Sequence, residues 1–406
     1  MIIKPDKKMQ IPFGALHLGN TARQLISAAL DQGLLSCGKL VQEFEEKFAA
    51  VNNVKYAVAV SSGTDADILA LAVMHDLGAD RGDEVIIPAL SFIATGNAVL
   101  HAGFTPVFVD IDRKTLNIDP QKIEAAVTKK TRGIMPVHLM GKPADMDAIS
   151  ALAKKYNLYI AEDAAEAHGA KYRGRSAGSI GSTGAFSTYV AHIISTVEGG
   201  VITTNDPQIA EILRSLRSHG RNCVCSTCVM NSGEVYCAKR FGNPDVEDIR
   251  FTFDRIGYSC KMNEMEAAVG LDNIESYDSI LSRRYANLKK GMEIIRQFPE
   301  HIYTITEEAH EKIGPHALPI ILREHSPLTR KELIDHLNAF YIDSRTLFSS
   351  MPTQCAGFAW LGHKPGSFPE AEYIGERAIH IGVHQNITSG HLSYFYDALA
   401  ALFNRV

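Results

Sequence analysis

The sequence predicts an α/β fold, with a large domain built on a mostly parallel sheet and a smaller α+β domain at the C-terminal end. Short apolar runs alternate with helix-like patterns through the first half, as in strand–helix–strand units. Parallel strands covered on both faces should be continuously apolar, and Glu84–Pro88 fits apart from its first residue. From about residue 263 the pattern changes to long helices. We therefore predict a large domain over 1–280 and a small domain over 281–406.

The individual elements follow from the same alternation of apolar runs and helical patterns. The predicted strands of the large domain are Tyr56–Val60, Glu84–Pro88, Thr105–Val109, 133–137, 158–162 and Gly200–Thr204. The helices predicted between them cover 64–77, 95–102 and 144–156. Beyond them, helices are predicted over 264–273 and 278–298, and strands over Ala317–Leu322 and 379–382.

Composition narrows the classes of function. The chain has 406 residues, of which 46% are hydrophobic and 21% charged, as in ordinary globular proteins. A net charge of -5 and a pI near 6.3 argue against a nucleic-acid partner. The first residues lack the apolar core of a signal peptide, and no uncharged apolar run approaches the ~20 residues that span a bilayer. We therefore expect a soluble, cytoplasmic protein without a membrane partner.

A Ser-Ser-Gly-Thr segment at residues 61–64 follows a predicted strand and opens a predicted helix. Backbone N–H groups and the positive end of the helix attract a phosphate at such a turn. The alternative is an ordinary Ser-capped helix with a turn glycine. The signal taken alone leaves both interpretations open for Gly63 and Thr64.

Asp163 ends the apolar stretch that begins at Leu158. A carboxylate at the carboxyl end of a parallel strand faces the ligand crevice of an α/β sheet. The alternative is a helix N-cap, for which Asp is favoured. Phe92 follows another predicted strand, and without further information it would be interpreted as a core residue.

The segment 186–200 closely resembles the one that carries the cofactor-binding lysine in the DegT/DnrJ/EryC1/StrS family of sugar aminotransferases. Those enzymes hold pyridoxal 5'-phosphate (PLP) as a Schiff base on that lysine. Residues 196–200 read Thr-Val-Glu-Gly-Gly, which matches the family's Thr-x-Glu-Gly-Gly. The resemblance runs from about residue 11 to the C-terminus. It implies the fold-type-I aminotransferase architecture and a homodimer with shared active sites.

Two residues depart from the aminotransferase pattern. His192 stands where the family has its lysine, and imidazole cannot form a stable Schiff base but can move protons. Glu166 stands where these aminotransferases usually carry an uncharged amide. The family's lysine-less sugar 3-dehydratases resemble this chain at both positions, with histidine at the first and an acidic residue near the cofactor's 3-oxygen at the second.

The resemblance assigns further residues to the cofactor. It implies that Gly63, Thr64 and Ser187 contact the phosphate. It also implies that Phe92 stacks on the pyridine ring and that Asp163 pairs with the pyridine nitrogen.

The resemblance is weaker in the second half of the chain. Ser259 replaces a family asparagine that reaches the partner subunit's cofactor phosphate, and Asn263 could compensate for the change. Arg345 is a candidate for binding the carboxylate of a glutamate cosubstrate or a substrate phosphate.

Four cysteines lie close together in the sequence, at Cys223, Cys225, Cys228 and Cys237. The segment resembles the cluster-binding segment of the iron–sulfur dehydratases in the family. Those enzymes take a further cluster ligand from a cysteine at the position that Ala165 occupies in this chain. Cys228 could substitute as the fourth ligand. Grouped thiolates suit Fe–S or Zn, and the pattern leaves a [2Fe-2S] cluster, a zinc ion and a metal-free loop open.

The resemblance implies C3 dehydration of a nucleotide-linked 4-keto-6-deoxyhexose, with His192 as base and acid. The working cofactor would be pyridoxamine phosphate (PMP), formed from PLP and an amine donor such as glutamate. A reductase partner would be needed if a cluster is present. The alternatives are a sugar aminotransferase with residual turnover and a non-catalytic PLP-binding protein.

Overall fold

The structure is a computed structural model that describes residues 9–226, 228–232, 236–242 and 248–404. A 7-stranded sheet forms its centre, in the order β1-β9-β8-β5-β4-β2-β3. The strands of the sheet are β1 (Tyr56–Val60), β2 (Glu84–Pro88), β3 (Thr105–Val109), β4 (Thr131–Ile134), β5 (Tyr159–Asp163), β8 (Thr183–Ser187) and β9 (Gly200–Thr204). β2 pairs with β3 and β4, β4 with β5, and β5 with β8, all in parallel. β9 runs antiparallel to both β1 and β8.

Helices and a short sheet surround the central sheet. The helices of this part are α1 (Asn20–Gln32), α2 (Lys39–Val51), α3 (Gly63–Ala72), α4 (Ile93–His101), α5 (Pro120–Ala126), α6 (Met146–Tyr156), α7 (Pro207–Leu216) and α8 (Glu264–Glu275). The short sheet joins β6 (Lys171–Tyr172), β7 (Arg175–Ser176) and β11 (Glu311–Lys312). The central strands β5, β8 and β9 are almost wholly buried, as expected for a sheet covered on both faces.

The C-terminal part is built on a second sheet, in the order β10-β12-β14-β13. Its strands are β10 (Ile302–Tyr303), β12 (Ala317–Leu322), β13 (Ser344–Thr346) and β14 (Ala378–Gly382). Its helices are α9 (Tyr277–Ile295), α10 (Arg330–Ala339), α11 (Met351–Gln354), α12 (Pro369–Arg377) and α13 (Ser389–Phe403). The predicted division at residue 280 falls inside α9, so the two-domain boundary stays a prediction.

The predicted α/β class is confirmed, and the differences lie mainly at element ends. The strand predicted over 133–137 ends at Ile134, because Pro136 lacks an N–H and Val137 makes only an isolated bridge to Asp163. The helix predicted over 64–77 ends at Ala72 and tightens into a 3₁₀ turn. The strand β8 was not predicted, because its Thr-Gly-Ala-Phe-Ser sequence has little apolar content.

No helix in the described part of the chain is long and apolar enough to cross a membrane.

Candidate active site

The predicted phosphate turn lies beside the end of β8. β1 ends at Val60, and Ser62 caps α3 by accepting a hydrogen bond from the Asp65 N–H at 3.0 Å. The first amides of α3 have no carbonyl acceptor within the helix. A Cβ atom at Gly63 would lie 2.6 Å from the Ser187 Cβ, so only glycine fits this approach. The backbone amides of Gly63 and Thr64, at the start of α3, therefore lie beside the Ser187 side chain. Together these groups form one cradle.

Asp163 lies at the carboxyl end of β5 with only 5% of its surface exposed. Its Oδ2 accepts a hydrogen bond of 2.7 Å from the Thr95 hydroxyl, and its Oδ1 accepts one of 3.2 Å from the Ala165 N–H. Burial raises the pKa of the Asp163 carboxyl, although these two hydrogen bonds and the nearby His138 oppose the rise. A cation brought next to Asp163 would stabilise its charged form.

His192 lies in a tight turn after β8, where its backbone N–H donates to the Tyr189 carbonyl at 2.9 Å. Its ring lies between two other imidazoles. The centroid distances are 6.0 Å to His168 and 5.0 Å to His316. The His192 Nδ1 atom is buried and has no hydrogen-bond partner. Such an orphaned polar atom is costly unless a ligand engages it.

The surroundings keep His192 uncharged. Burial lowers its pKa well below the ordinary value of 6.5, and the charges of His168 and Arg284 lower it further. Burial likewise lowers the pKa of His168 to about 4, even though its ring donates from Nε2 to the Ser187 carbonyl at 2.8 Å. Burial lowers the pKa of Arg284 to about 10. His192 is therefore a neutral imidazole at pH 7, with a pKa below the one expected for a free histidine.

Glu166 is clamped from two sides. Its Oε2 accepts a 2.7 Å hydrogen bond from the Met140 N–H, and its Oε1 lies 3.3 Å from His316 Nε2. Burial raises the Glu166 pKa to about 8, because its effect exceeds that of the Met140 hydrogen bond, which lowers the pKa; the charge of Asp163 adds a smaller rise. Glu166 is thus a carboxylic acid at neutral pH, unlike a solvated surface glutamate.

A row of rings leads from the cofactor end of the sheet to Arg345. Phe92 is 56% exposed and contacts Phe348 at 5.5 Å between ring centroids. Phe348 lies 6.1 Å from His380, and His380 lies 5.2 Å from Phe13. The Arg345 guanidinium covers the Phe13 ring at 3.9 Å. Phe92 is therefore an open aromatic face, whereas Arg345 is already engaged by an aromatic ring.

Asn263 and Ser259 have different surroundings. Asn263 caps α8 by accepting hydrogen bonds from the N–H groups of Met265 and Glu266, both at 3.0 Å. This structural use occupies its side-chain oxygen, and the predicted phosphate contact stays a prediction. Ser259 is exposed and adjoins Cys260, whose carbonyl accepts a 2.9 Å hydrogen bond from the N–H of Ser61, at the start of the phosphate turn.

The cysteine cluster lies on a loop between α7 and α8. None of the seven cysteines, all of which lie among the described residues, forms a disulfide. Burial raises the pKa of the Cys223 thiol, and the charges of Cys225 and Cys228 add to the rise, against a hydrogen bond to the Cys225 backbone. Within residues 9–226, 228–232, 236–242 and 248–404, no group of three or more His, Cys, Asp or Glu side chains is arranged to hold a metal ion. The structure thus gives the Fe–S or Zn interpretation of these residues and Cys237 no support.

Four further site residues escaped sequence reasoning: Thr95, His168, Arg284 and His316. The first two had a usable signal, because Thr95 follows Phe92 by three positions and His168 lies in the same motif as Asp163 and Glu166. The other two come from the second half of the chain, and nothing local marks them.

The residues present fit PLP. The cradle at Gly63 and Ser187 offers free amides and a hydroxyl to a phosphate. Asp163 offers a buried carboxyl to a protonated ring nitrogen, and Phe92 offers an open ring face. The orphaned Nδ1 of His192 is a polar atom without a protein partner.

Comparison with known proteins extends over nearly the whole chain. The DegT/DnrJ/EryC1/StrS aminotransferase family matches residues 17–400. The GDP-perosamine synthase of Caulobacter vibrioides is 36% identical over 394 residues, covering 96% of this chain and 97% of the relative. The GDP-4-keto-6-deoxy-D-mannose 3-dehydratase of Yersinia pseudotuberculosis is 31% identical over 389 residues, covering 92% of this chain and 94% of the relative.

A solved structure resembles the whole chain as well. It is the E. coli GDP-4-keto-6-deoxy-D-mannose-3-dehydratase with bound hydrated PLP, with a TM-score of 0.85 and 27% identity. The match covers 97% of this chain and 100% of that chain. The fold-type-I architecture implied by the sequence is thereby confirmed. The protein belongs to the DegT/DnrJ/EryC1/StrS aminotransferase family.

Proposed function

We propose that this chain is a PLP/PMP-dependent lyase that removes the C3 hydroxyl from a nucleotide-linked 4-keto-6-deoxyhexose. The observation that carries the proposal is His192, an imidazole in the turn that matches the family's lysine segment. The acidic Glu166 in the same pocket supports it as the second departure from the aminotransferase pattern.

The pocket would hold the cofactor through noncovalent contacts alone. The α3 amides at Gly63 and Thr64 and the Ser187 hydroxyl would bind its phosphate. Asp163 would keep the ring nitrogen protonated, and Phe92 would cover one face of the ring. When bound, the cofactor supplies an amine that engages the 4-keto group and a ring that accepts electrons while the C3 hydroxyl leaves.

His192 would move the proton in this reaction. Its neutral ring has an unpartnered Nδ1 that can accept a proton. Once protonated, the ring would be repelled by the Arg284 guanidinium and destabilised by burial. The same environment that weakens His192 as a base thus favours delivery of its proton to the departing C3 oxygen. A lysine amine would instead form a covalent bond with the cofactor.

The known relatives include both a sugar aminotransferase and a 3-dehydratase, so the product must decide. The decisive experiment supplies the protein with PLP, glutamate and, in separate reactions, GDP-, CDP- and dTDP-linked 4-keto-6-deoxyhexoses. Mass spectrometry of the sugar and an ammonia assay follow. We expect a sugar that has lost its C3 oxygen and carries no nitrogen, together with free ammonia.

Other outcomes would replace the proposal. Nitrogen retained on the sugar would identify an aminotransferase. No conversion and no ammonia with any of the three nucleotides would identify a non-catalytic PLP-binding protein. The His192→Asn variant, which keeps a polar side chain but cannot act as a general base, is the matched control and should release no ammonia.

The proposal includes neither a cluster nor a reductase. Release of the unsaturated sugar by hydrolysis needs only water, and the cysteine loop shows no arranged metal site among the described residues. Iron analysis and a visible spectrum of anaerobically purified protein test this point. Stoichiometric iron would add a reductive second half-reaction to the proposal.

A further inference from the structure

His316 contacts both residues that depart from the aminotransferase pattern, His192 and Glu166. His316 immediately precedes β12 and is 6% exposed. Its Nε2 lies 3.3 Å from Glu166 Oε1, and its ring lies 5.0 Å from that of His192, at an interplanar angle of 34°. His316 therefore lies between the acidic group and the imidazole of the site.

The contact with Glu166 joins two neutral groups. Burial, followed by the charges of His192 and Arg284, lowers the pKa of His316 well below 6.5. The pKa of Glu166 is raised to about 8, again by burial. At pH 7 a neutral carboxylic acid therefore faces a neutral imidazole across 3.3 Å, which avoids the cost of a buried ion pair.

The backbone around His316 is held on both sides. Arg284 of α9 donates to the Pro315 carbonyl at 3.1 Å and to the His316 carbonyl at 2.9 Å. The N–H of Gly314 donates to the Gly141 carbonyl at 2.9 Å, next to the Met140 N–H that binds Glu166. The two segments that clamp Glu166 are thus hydrogen-bonded to each other.

We infer that His316 is a positioning residue that holds the Glu166 carboxyl and the His192 ring in fixed relative orientation. The segment before β12 thereby contributes, together with Arg284 of α9, to a site whose remaining groups lie at the ends of the central strands and in the segments that follow them. The inference rests on the proposed function only in that the same pocket binds PLP. It holds for either a dehydratase or an aminotransferase.

The first test is a double-mutant cycle on the ligand-free protein. His316→Phe keeps the ring against His192 but removes the nitrogen that faces Glu166. Glu166→Ala removes the other partner. If the contact is formed, His316→Phe should lower the urea midpoint less in the Glu166→Ala background than in the wild type. Additive midpoints would overturn the inference without any cofactor.

The second test measures the role in positioning. Ligand-free protein is titrated with PLP, and the affinity and the pH dependence of the bound cofactor's absorbance are recorded. His316→Phe should weaken binding about tenfold, as expected for loss of an interaction of about 1.4 kcal/mol. It should also shift the midpoint of the absorbance change with pH. His316→Gln, which keeps a polar group toward Glu166, should restore both properties.

The control is His301→Phe, because His301 also lies in the small domain and also has an unpartnered Nδ1, but stacks on Phe403 away from the site. It should leave PLP affinity and the absorbance midpoint unchanged. A His316→Phe variant that behaves like this control, or one that His316→Gln does not rescue, would refute the positioning role. Failure of the wild-type protein to bind PLP would instead contradict the proposed function, and the ligand-free cycle would still decide the contact.

Discussion

Replacing Glu166 by glutamine should stabilise the ligand-free protein, and more so as the pH rises. The carboxyl has a pKa of about 8 in the folded protein and an ordinary value of 4.5. A raised folded pKa means that the folded state binds the proton more tightly than the unfolded chain. The stability linked to this proton is therefore complete below pH 4.5 and is lost as the pH rises toward 8. Glutamine carries no such proton and keeps an oxygen for the Met140 N–H.

The magnitude follows from the separation of the two pKa values. Each pH unit between 4.5 and 8 lowers the contribution of Glu166 to the free energy of unfolding by about 1.4 kcal/mol. This contribution should thus fall by about 3 kcal/mol between pH 4.5 and pH 7, and by about 5 kcal/mol by pH 8 and above. The difference between Glu166→Gln and wild type should follow the same curve.

The assay is urea unfolding of both proteins at a series of pH values from 5 to 9. Contributions from other titrating groups cancel in the difference between the variants. Glu211→Gln, on an exposed position of α7, is the matched control and should show no trend with pH. A difference that stays flat from pH 5 to 9, or one that favours the wild type at high pH, would refute the buried acidic state of Glu166.

Three further predictions concern the cofactor. Borohydride treatment of PLP-loaded protein should leave the wild type unlabelled but label His192→Lys, as judged by intact mass; labelling of the wild type would contradict a noncovalent site. Thr95→Val removes the 2.7 Å hydrogen bond to Asp163 and should weaken PLP binding about tenfold or more, since hydrogen bonds to charged groups contribute about 1.5–3 kcal/mol; unchanged affinity in a titration would disprove this. Phe92→Ala should cost less than about 0.5 kcal/mol of unfolding free energy because the side chain is largely exposed, yet it should weaken PLP binding; the opposite result would place Phe92 in the core.

Local sequence patterns are sufficient to predict a site residue when a single strand or helix positions it. Asp163 was predicted at the end of a strand, and the apolar run before it indicates this. The capping box at Asn263 and Glu266 was equally readable, because Asn followed three residues later by Glu marks a helix start. Asn263 thus has a structural role as a helix cap, and its contact with a phosphate stays a prediction.

Particular contacts could not be predicted because they join residues that are distant in sequence. Thr95 orients Asp163 only because the fold brings the start of α4 to the carboxyl end of β5. His316 reaches Glu166 only because the segment before β12 docks on the turn around Gly141. Neither pairing leaves a periodic or compositional trace in the chain.

The sequence by itself determined the α/β class, the approximate positions of six of the seven central strands and the chemical identities of the two unusual groups, His192 and Glu166. Their protonation was decided only by the tertiary structure. A free histidine titrates near ~6.5 and a free glutamate near ~4.3. In this pocket, desolvation keeps the imidazole neutral and the carboxyl protonated at pH 7. Desolvation depends on what surrounds a side chain in three dimensions, and the linear order of residues does not specify that.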